Sequence, residues 1–214
     1  MKTLLLKGKK DAPLYVLPSY EEEEGKEIYR RAKGHLPSFS LLIITSFSWQ
    51  SALAPFDYFD PFTKKETQGQ GEEFLSFILD DLTKVVRESG LTPSYYGLFG
   101  YSLAGLFTCY AMFKKTPFTR FGSVSGSLWF PSFLSYAQSS RFLSEVKKVY
   151  LSFGEKEERS HNEVFKEVGN KTREFQKILE QRKTENLLEI NPGGHDSEPV
   201  YRQIKALSYL LKKE

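Results

Sequence analysis

Short, mostly apolar runs alternate along this chain with longer stretches whose apolar positions recur every three to four residues. Buried strands joined by amphipathic helices leave that signature. Residues 14–17, 39–45, 95–99, 120–124, 149–153 and 187–190 read as strands. The second is almost wholly apolar, as a strand covered on both faces must be. Between them Phe74, Leu75, Ile78, Leu82, Val85 and Val86 form a helical stripe over 72–88, with Gly90 placed to cap it. Further helices are predicted over 103–114, 163–182 and 198–211. No internal repeat or low-complexity linker interrupts the series. The order therefore predicts an α/β fold: one doubly wound, mostly parallel sheet of about six strands with helices on both faces.

The 214 residues suit a single domain spanning 1–214. A hydrophobic fraction of 40% beside 27% charged residues excludes a disordered chain. The net charge of +3 comes from residues spread along the whole sequence, so no basic stripe marks a nucleic-acid surface. No apolar run is long enough to span a membrane, and Leu4-Leu5-Leu6 is too short for a secretory signal core, so a cytoplasmic location is expected. The lone Cys109, in an apolar helical stretch, reads as a small buried side chain. Glu21 to Glu24 read as a solvated loop or as the first turn of a helix, where negative charge suits the dipole. Gly69-Gln70-Gly71 lacks the Lys-Ser/Thr pair of a phosphate-binding loop and reads as a turn.

Chemistry enters at Gly100-Tyr101-Ser102-Leu103-Ala104-Gly105, between an apolar strand and a helix. A nucleophilic serine on a sharp strand-to-helix turn needs small neighbours, and Gly100, Ala104 and Gly105 supply them. The competing reading of Ser102 is a plain helix cap. The same turn leaves the Leu103 amide free at a helix N-terminus, where it can donate to an oxyanion. A serine hydroxyl is a poor nucleophile without a base. Of the three histidines, His35 precedes the serine and His161 stands in a polar stretch that reads as solvated. His195, in Asn191-Pro192-Gly193-Gly194-His195-Asp196, follows the last strand instead. That position is a C-terminal strand edge, where open sheets hold their sites, and it satisfies the Ser, acid, His order of the α/β-hydrolase fold. The acid is expected just after Gly154, with Glu157 preferred and Glu155 and Glu158 open as alternatives. The second oxyanion donor is expected at the amide of Ser19 or Tyr20, since Pro18 has no N–H.

Gly-Tyr-Ser-Leu-Ala-Gly-Leu-Phe (100–107), Ser-Val-Ser-Gly-Ser-Leu-Trp (123–129) and Asn-Pro-Gly-Gly-His (191–195) together resemble the esterase family, within the α/β-hydrolase superfamily, related to esterase D and the enterochelin esterases. The segment 48–55 is similar to the Asp-Trp-Asn-x-x-Leu-x-Pro-Trp loop of its small bacterial members. The resemblance runs from about Phe39 to the end. It implies Ser102 as nucleophile, His195 as base and a compact hydrolase domain with minimal or no lid. Ala104 stands where the family has glycine, and the early oxyanion signature is missing. Some members use a Ser-His pair alone.

These readings converge on a serine hydrolase that cleaves a small-molecule acyl ester, with no metal or organic cofactor and no nucleic-acid or membrane partner. Trp49, Tyr101 and Trp129 are the expected substrate contacts, with Phe56, Tyr58, Phe59 and Phe130 nearby in sequence; simple packing is the competing reading for each. A peptidase or thioesterase with the same site, or a hydrolase-fold binding protein without turnover, is the alternative. The oligomeric state is not legible.

Overall fold

The computed structural model describes residues 1–212. In chain order its strands are β1 (Lys2–Leu6), β2 (Leu14–Pro18), β3 (Ser40–Thr45), β4 (Tyr58–Asp60), β5 (Lys65–Thr67), β6 (Tyr96–Tyr101), β7 (Phe118–Val124), β8 (Lys148–Gly154) and β9 (Glu185–Asn191). The helices are α1 (Glu22–Ala32), α2 (Trp49–Ala52), α3 (Gly71–Ser89), α4 (Leu103–Ala111), α5 (Phe133–Ser139), α6 (Glu163–Lys166), α7 (Val168–Gln181) and α8 (Pro199–Leu210). Seven strands make one sheet in the order β1-β3-β2-β6-β7-β8-β9, while β4 and β5 form a separate hairpin. Every pairing in the large sheet is parallel except that of β1 with β3. This is an α/β-hydrolase architecture.

The two-residue period of the strands sorts their side chains between two cores. Leu14, Val16, Leu42, Ile44, Leu98 and Leu151 face one side, covered by α3, α4 and α7 through Phe74, Ile78, Phe107 and Phe175. Tyr15, Leu17, Leu41, Ile43, Phe99 and Tyr150 face the other, covered by α1 and α8 through Ile28, Ala206 and Leu210. All nine residues of α4 are buried, so this helix begins at the centre of the molecule. Gly90 takes the left-handed conformation expected of a cap for α3, at φ 70°. Among the described residues no helix is long and apolar enough to cross a membrane.

Three features differ from the sequence expectation, and one pair of open alternatives is decided. The sheet has seven strands because Lys2–Leu6 adds an edge, with Lys2 opposite Thr45 and Leu6 opposite Leu41. That run is too brief to announce a strand, and β3 is what orders it. Glu22 to Glu24 do open a helix, α1, whose first turn is acidic and whose last turn carries Arg30 and Arg31, complementary to the dipole at both ends. The stretch 163–182 divides into α6 and α7, the break falling next to Gly169, a weak helix former against which the Glu158 side chain packs. The hairpin and the short α2 and α5 are held by tertiary packing rather than by a periodic pattern of their own.

Candidate active site

Strands β6, β7 and β8 all end at the same edge of the sheet, and the loop after β9 returns over it. At the end of β6 the chain turns directly into α4, and the residue at the corner is Ser102, with φ 56° and ψ −119°. A side-chain-bearing residue rarely adopts this conformation, which costs roughly 1–3 kcal/mol and must be imposed by its surroundings. Two hydrogen bonds, to the end of β7 and to the loop that follows it, impose it: the Ser102 amide donates to Val124 O at 2.9 Å, and its carbonyl accepts from the Ser127 amide at 3.0 Å. The corner is also sterically closed. A Cβ on Gly100 would lie 2.6 Å from the Ala104 methyl, so this close approach requires glycine at 100 and is compatible with alanine at 104.

The Ser102 Oγ lies 3.0 Å from His195 Nε2, and His195 Nδ1 lies 2.7 Å from Glu157 Oε2. His195 is brought back over the edge by Pro192-Gly193-Gly194, where Gly193 has φ 88°. The Phe165 ring stacks on the imidazole at 4.4 Å and 21°, and the Tyr101 hydroxyl donates to the His195 carbonyl. Glu157 sits on a tight 3-10 turn, Glu157–Arg159, directly after β8. The turn folds its carboxylate back so that Oε1 accepts from the Gly154 amide at 2.6 Å and the Ser125 hydroxyl at 2.8 Å. Burial would raise the Glu157 carboxyl, but the His195 contact, the Gly154 amide and the Ser125 hydroxyl outweigh it and hold the group below its ordinary value. An ionised Glu157 accepts a hydrogen bond from Nδ1–H, which keeps the ring proton there and leaves Nε2 as the acceptor facing Ser102.

Of the other candidate acids, Glu155 is exposed and Glu158 forms an ion pair with Arg173, so neither reaches the imidazole. His35 and His161 are exposed. The two proposed early donors separate. The Ser19 amide donates to Ile44 O at 2.9 Å, extending the β2–β3 ladder, and is thereby removed from the oxyanion role. The Tyr20 and Leu103 amides have no acceptor among the described residues. Cys109 is buried and burial lifts its thiol to about 12, as suits an inert core residue.

Ser102 stands between two cavities. One of about 320 Å³ is lined by Tyr20, Glu24, Trp49, Tyr101, His195 and Asp196 among others. A second of about 200 Å³ is lined by Trp49, Tyr58, Asp60, Phe62, Trp129 and Phe165 among others, and reaches Leu103 and Ser127. All three expected contacts, Trp49, Tyr101 and Trp129, therefore border a cavity that touches Ser102, and Tyr58 does as well. Phe56 packs instead on Tyr110 and Tyr136, Phe130 is buried against Tyr58, and Phe59 faces solvent.

Residues that the sequence did not single out complete the arrangement. Ser125 and Ser127 lie within the 123–129 motif but carried no distinguishing signal there. Arg202, only 1% exposed, donates to Ser125 Oγ, to the Tyr101 hydroxyl, and to the carbonyls of Pro192 and Gly194 at 2.7 and 2.9 Å. Its guanidinium also lies 3.5 Å from Glu157 Oε1.

No protein-family model matches the chain. Two curated proteins are similar in sequence. Uncharacterized protein YbbA of Bacillus subtilis is 27% identical over 68% of this chain and 62% of its own length. The siderophore enterobactin esterase of Emericella nidulans is 26% identical over 62% of this chain and 53% of its own length. The chain thus spans less than two thirds of the length of either relative. In structure it is similar to an IroE-like serine hydrolase from Shewanella oneidensis, with a TM-score of 0.82 over 98% of this chain and 75% of that one, at 15% identity. That likeness shows a common fold, and the enterochelin-esterase resemblance seen in the sequence recurs in these matches.

Proposed function

We propose that this protein is a serine hydrolase that cleaves a carboxylic ester of a small molecule through an acyl-enzyme on Ser102. The observation that carries the proposal is the unbroken series from Ser102 Oγ to His195 to the buried Glu157, with contacts of 3.0 and 2.7 Å. In the first half-reaction Ser102 Oγ attacks the acyl carbon while His195 Nε2 takes its proton. The carbonyl π electrons move onto oxygen, and the amides of Leu103 and Tyr20 hold that oxyanion at the start of α4. Glu157 stabilises the imidazolium formed. Collapse of the intermediate breaks the bond to the alcohol, which leaves with the proton from His195. In the second half-reaction His195 deprotonates water, the hydroxide attacks the acyl carbon, and the acid departs as Ser102 recovers its proton.

Two cavities meeting at Ser102 give the acyl and alcohol portions separate room, in keeping with an ester rather than a single-armed substrate. The relatives named as an enterobactin esterase and a serine hydrolase support ester hydrolysis as the reaction class. The test is labelling by a fluorophosphonate together with hydrolysis of matched ester, thioester and amide chromogens. Stoichiometric labelling is expected at Ser102, with esters preferred. Ser102→Ala and His195→Ala are each expected to lower ester turnover at least about 10³-fold with the fold intact. Full turnover in either variant would overturn the assignment.

A further inference from the structure

The smaller cavity beside Ser102 is unusual in what its walls combine. Five aromatic residues, Trp49, Tyr58, Phe62, Trp129 and Phe165, line it together with one acidic residue, Asp60. Asp60 is 1% exposed. Its Oδ1 accepts the Phe62 and Thr63 amides at 2.8 and 3.3 Å, which shapes the turn between β4 and β5. Its Oδ2 is buried and has no partner among the described residues. A carboxylate oxygen out of water and without a donor is costly, and a ligand that supplies the missing positive charge relieves that cost. The charge of Asp60 already acts inside the cavity: together with the larger effect of burial it pushes the Tyr58 hydroxyl up to about 12.

The surrounding electrostatics point the same way. The neighbouring cavity contributes Glu24 and Asp196, and among the described residues no lysine or arginine lines either cavity, although the chain as a whole carries a net charge of +3. Aromatic faces around a carboxylate are the chemistry that recognises an organic cation, because ring quadrupoles and the anion both attract it while a hydrated metal ion is excluded by the apolar walls. Building on the reading of Ser102 as the nucleophile, we propose that the Asp60 cavity is a specificity pocket for an organic cation, a protonated amine or quaternary ammonium carried on one arm of the ester. The carbonyl oxygen of that ester faces the Leu103 and Tyr20 amides, its alcohol oxygen faces His195, and its cationic arm lies between Trp49 and Trp129 with Asp60 as counter-ion.

The only two tryptophans of the chain, Trp49 and Trp129, both line this cavity, so intrinsic fluorescence reports on it without turnover. Tetramethylammonium chloride, titrated against sodium chloride of equal ionic strength, is expected to give a saturable change in emission in the wild type and equally in Ser102→Ala. Asp60→Asn keeps the Oδ1 acceptor of the turn while removing the charge, and is expected to weaken that binding about tenfold or more. Circular dichroism verifies that the variant is folded. The kinetic arm compares choline butyrate with the neutral isostere in which tert-butyl replaces trimethylammonium, and the p-nitrophenyl ester of γ-trimethylammoniobutyrate with its own tert-butyl isostere. In at least one pair kcat/KM is expected to favour the cation by roughly tenfold, and that ratio is expected to fall toward one in Asp60→Asn. No saturable response to tetramethylammonium, a response unchanged in Asp60→Asn, or neutral esters matching the cationic ones in both pairs would each overturn the proposal. Cation binding in Ser102→Ala together with no Ser102-dependent hydrolysis in the wild type would instead overturn the esterase reading and leave a cation-binding pocket.

Discussion

Replacing Glu157 by glutamine preserves the shape of the side chain and exchanges one oxygen for an NH2 group, so its effect depends on which position the amide oxygen must take. The Oε1 position receives the Gly154 amide at 2.6 Å and the Ser125 hydroxyl at 2.8 Å, with the Arg202 guanidinium 3.5 Å away. The Gly154 amide and Arg202 can only donate, so an NH2 group there would set donor against donor. Glutamine therefore keeps its oxygen at that position and turns its NH2 group toward His195 Nδ1, in the place of the oxygen now 2.7 Å away. An NH2 group facing Nδ1 requires that nitrogen to accept, which moves the ring proton to Nε2, 3.0 Å from Ser102 Oγ. A protonated Nε2 cannot receive the serine proton. The stabilisation of the imidazolium is lost as well. We expect kcat/KM for a short-chain chromogenic ester to fall about 10³–10⁴-fold, equivalent to about 4–5.5 kcal/mol in the barrier. KM should change little, and the fluorophosphonate labelling rate should fall by a similar factor because it needs the same proton transfer. A loss of less than about tenfold in a folded variant would refute this reasoning and leave Ser102 and His195 acting as a pair.

The same carboxylate makes stability depend on pH. Its folded value lies below the ordinary 4.5, so its contribution is complete above the unfolded value and is lost as pH falls through the folded one. Thermal unfolding should show the wild type losing stability below about pH 4.5 with a steeper slope than Glu157→Gln, and parallel slopes would contradict the depressed value. Ser102 predicts a conflict between activity and stability. At φ 56° a glycine relieves roughly 1–3 kcal/mol of strain while adding about 0.5–1 kcal/mol of unfolded-chain entropy. At a net gain of about 1 kcal/mol, near the middle of that balance, Ser102→Gly should melt about 2–4 °C above Ser102→Ala, with both inactive, and a glycine variant that melts lower would show that the corner is unstrained.

What could be read in advance follows from where local pattern and tertiary context agree. The central strands of the sheet were legible because burial on both faces demands continuous apolar runs, as in residues 39–45. Ser102 and its corner were legible because sterics restrict the neighbours, and His195 because only one histidine follows the last strand. The candidate acid lay among three nearby glutamates, of which the offset from Gly154 favoured Glu157 while leaving Glu155 and Glu158 open. Backbone direction chooses: the turn at Glu157–Arg159 sends Glu157 inward to the Gly154 amide, leaves Glu155 in solvent and hands Glu158 to Arg173. Ser19 and Tyr20 were equivalent in sequence and differ only because the β2–β3 ladder runs one residue further than its apolar pattern. Arg202 left no trace, since an arginine in an amphipathic helix reads as part of the solvent face. Buried instead, its fork of donors joins the carbonyls of Pro192 and Gly194 in the histidine loop to Ser125 at the end of β7. Because Ser125 in turn donates to Glu157, one guanidinium fixes His195 and Glu157 relative to the same strand end. The approach of His195 to Ser102 is thus set from behind by the buried Arg202 of α8, the same helix whose Pro199 and Gln203 line the larger cavity beside Ser102.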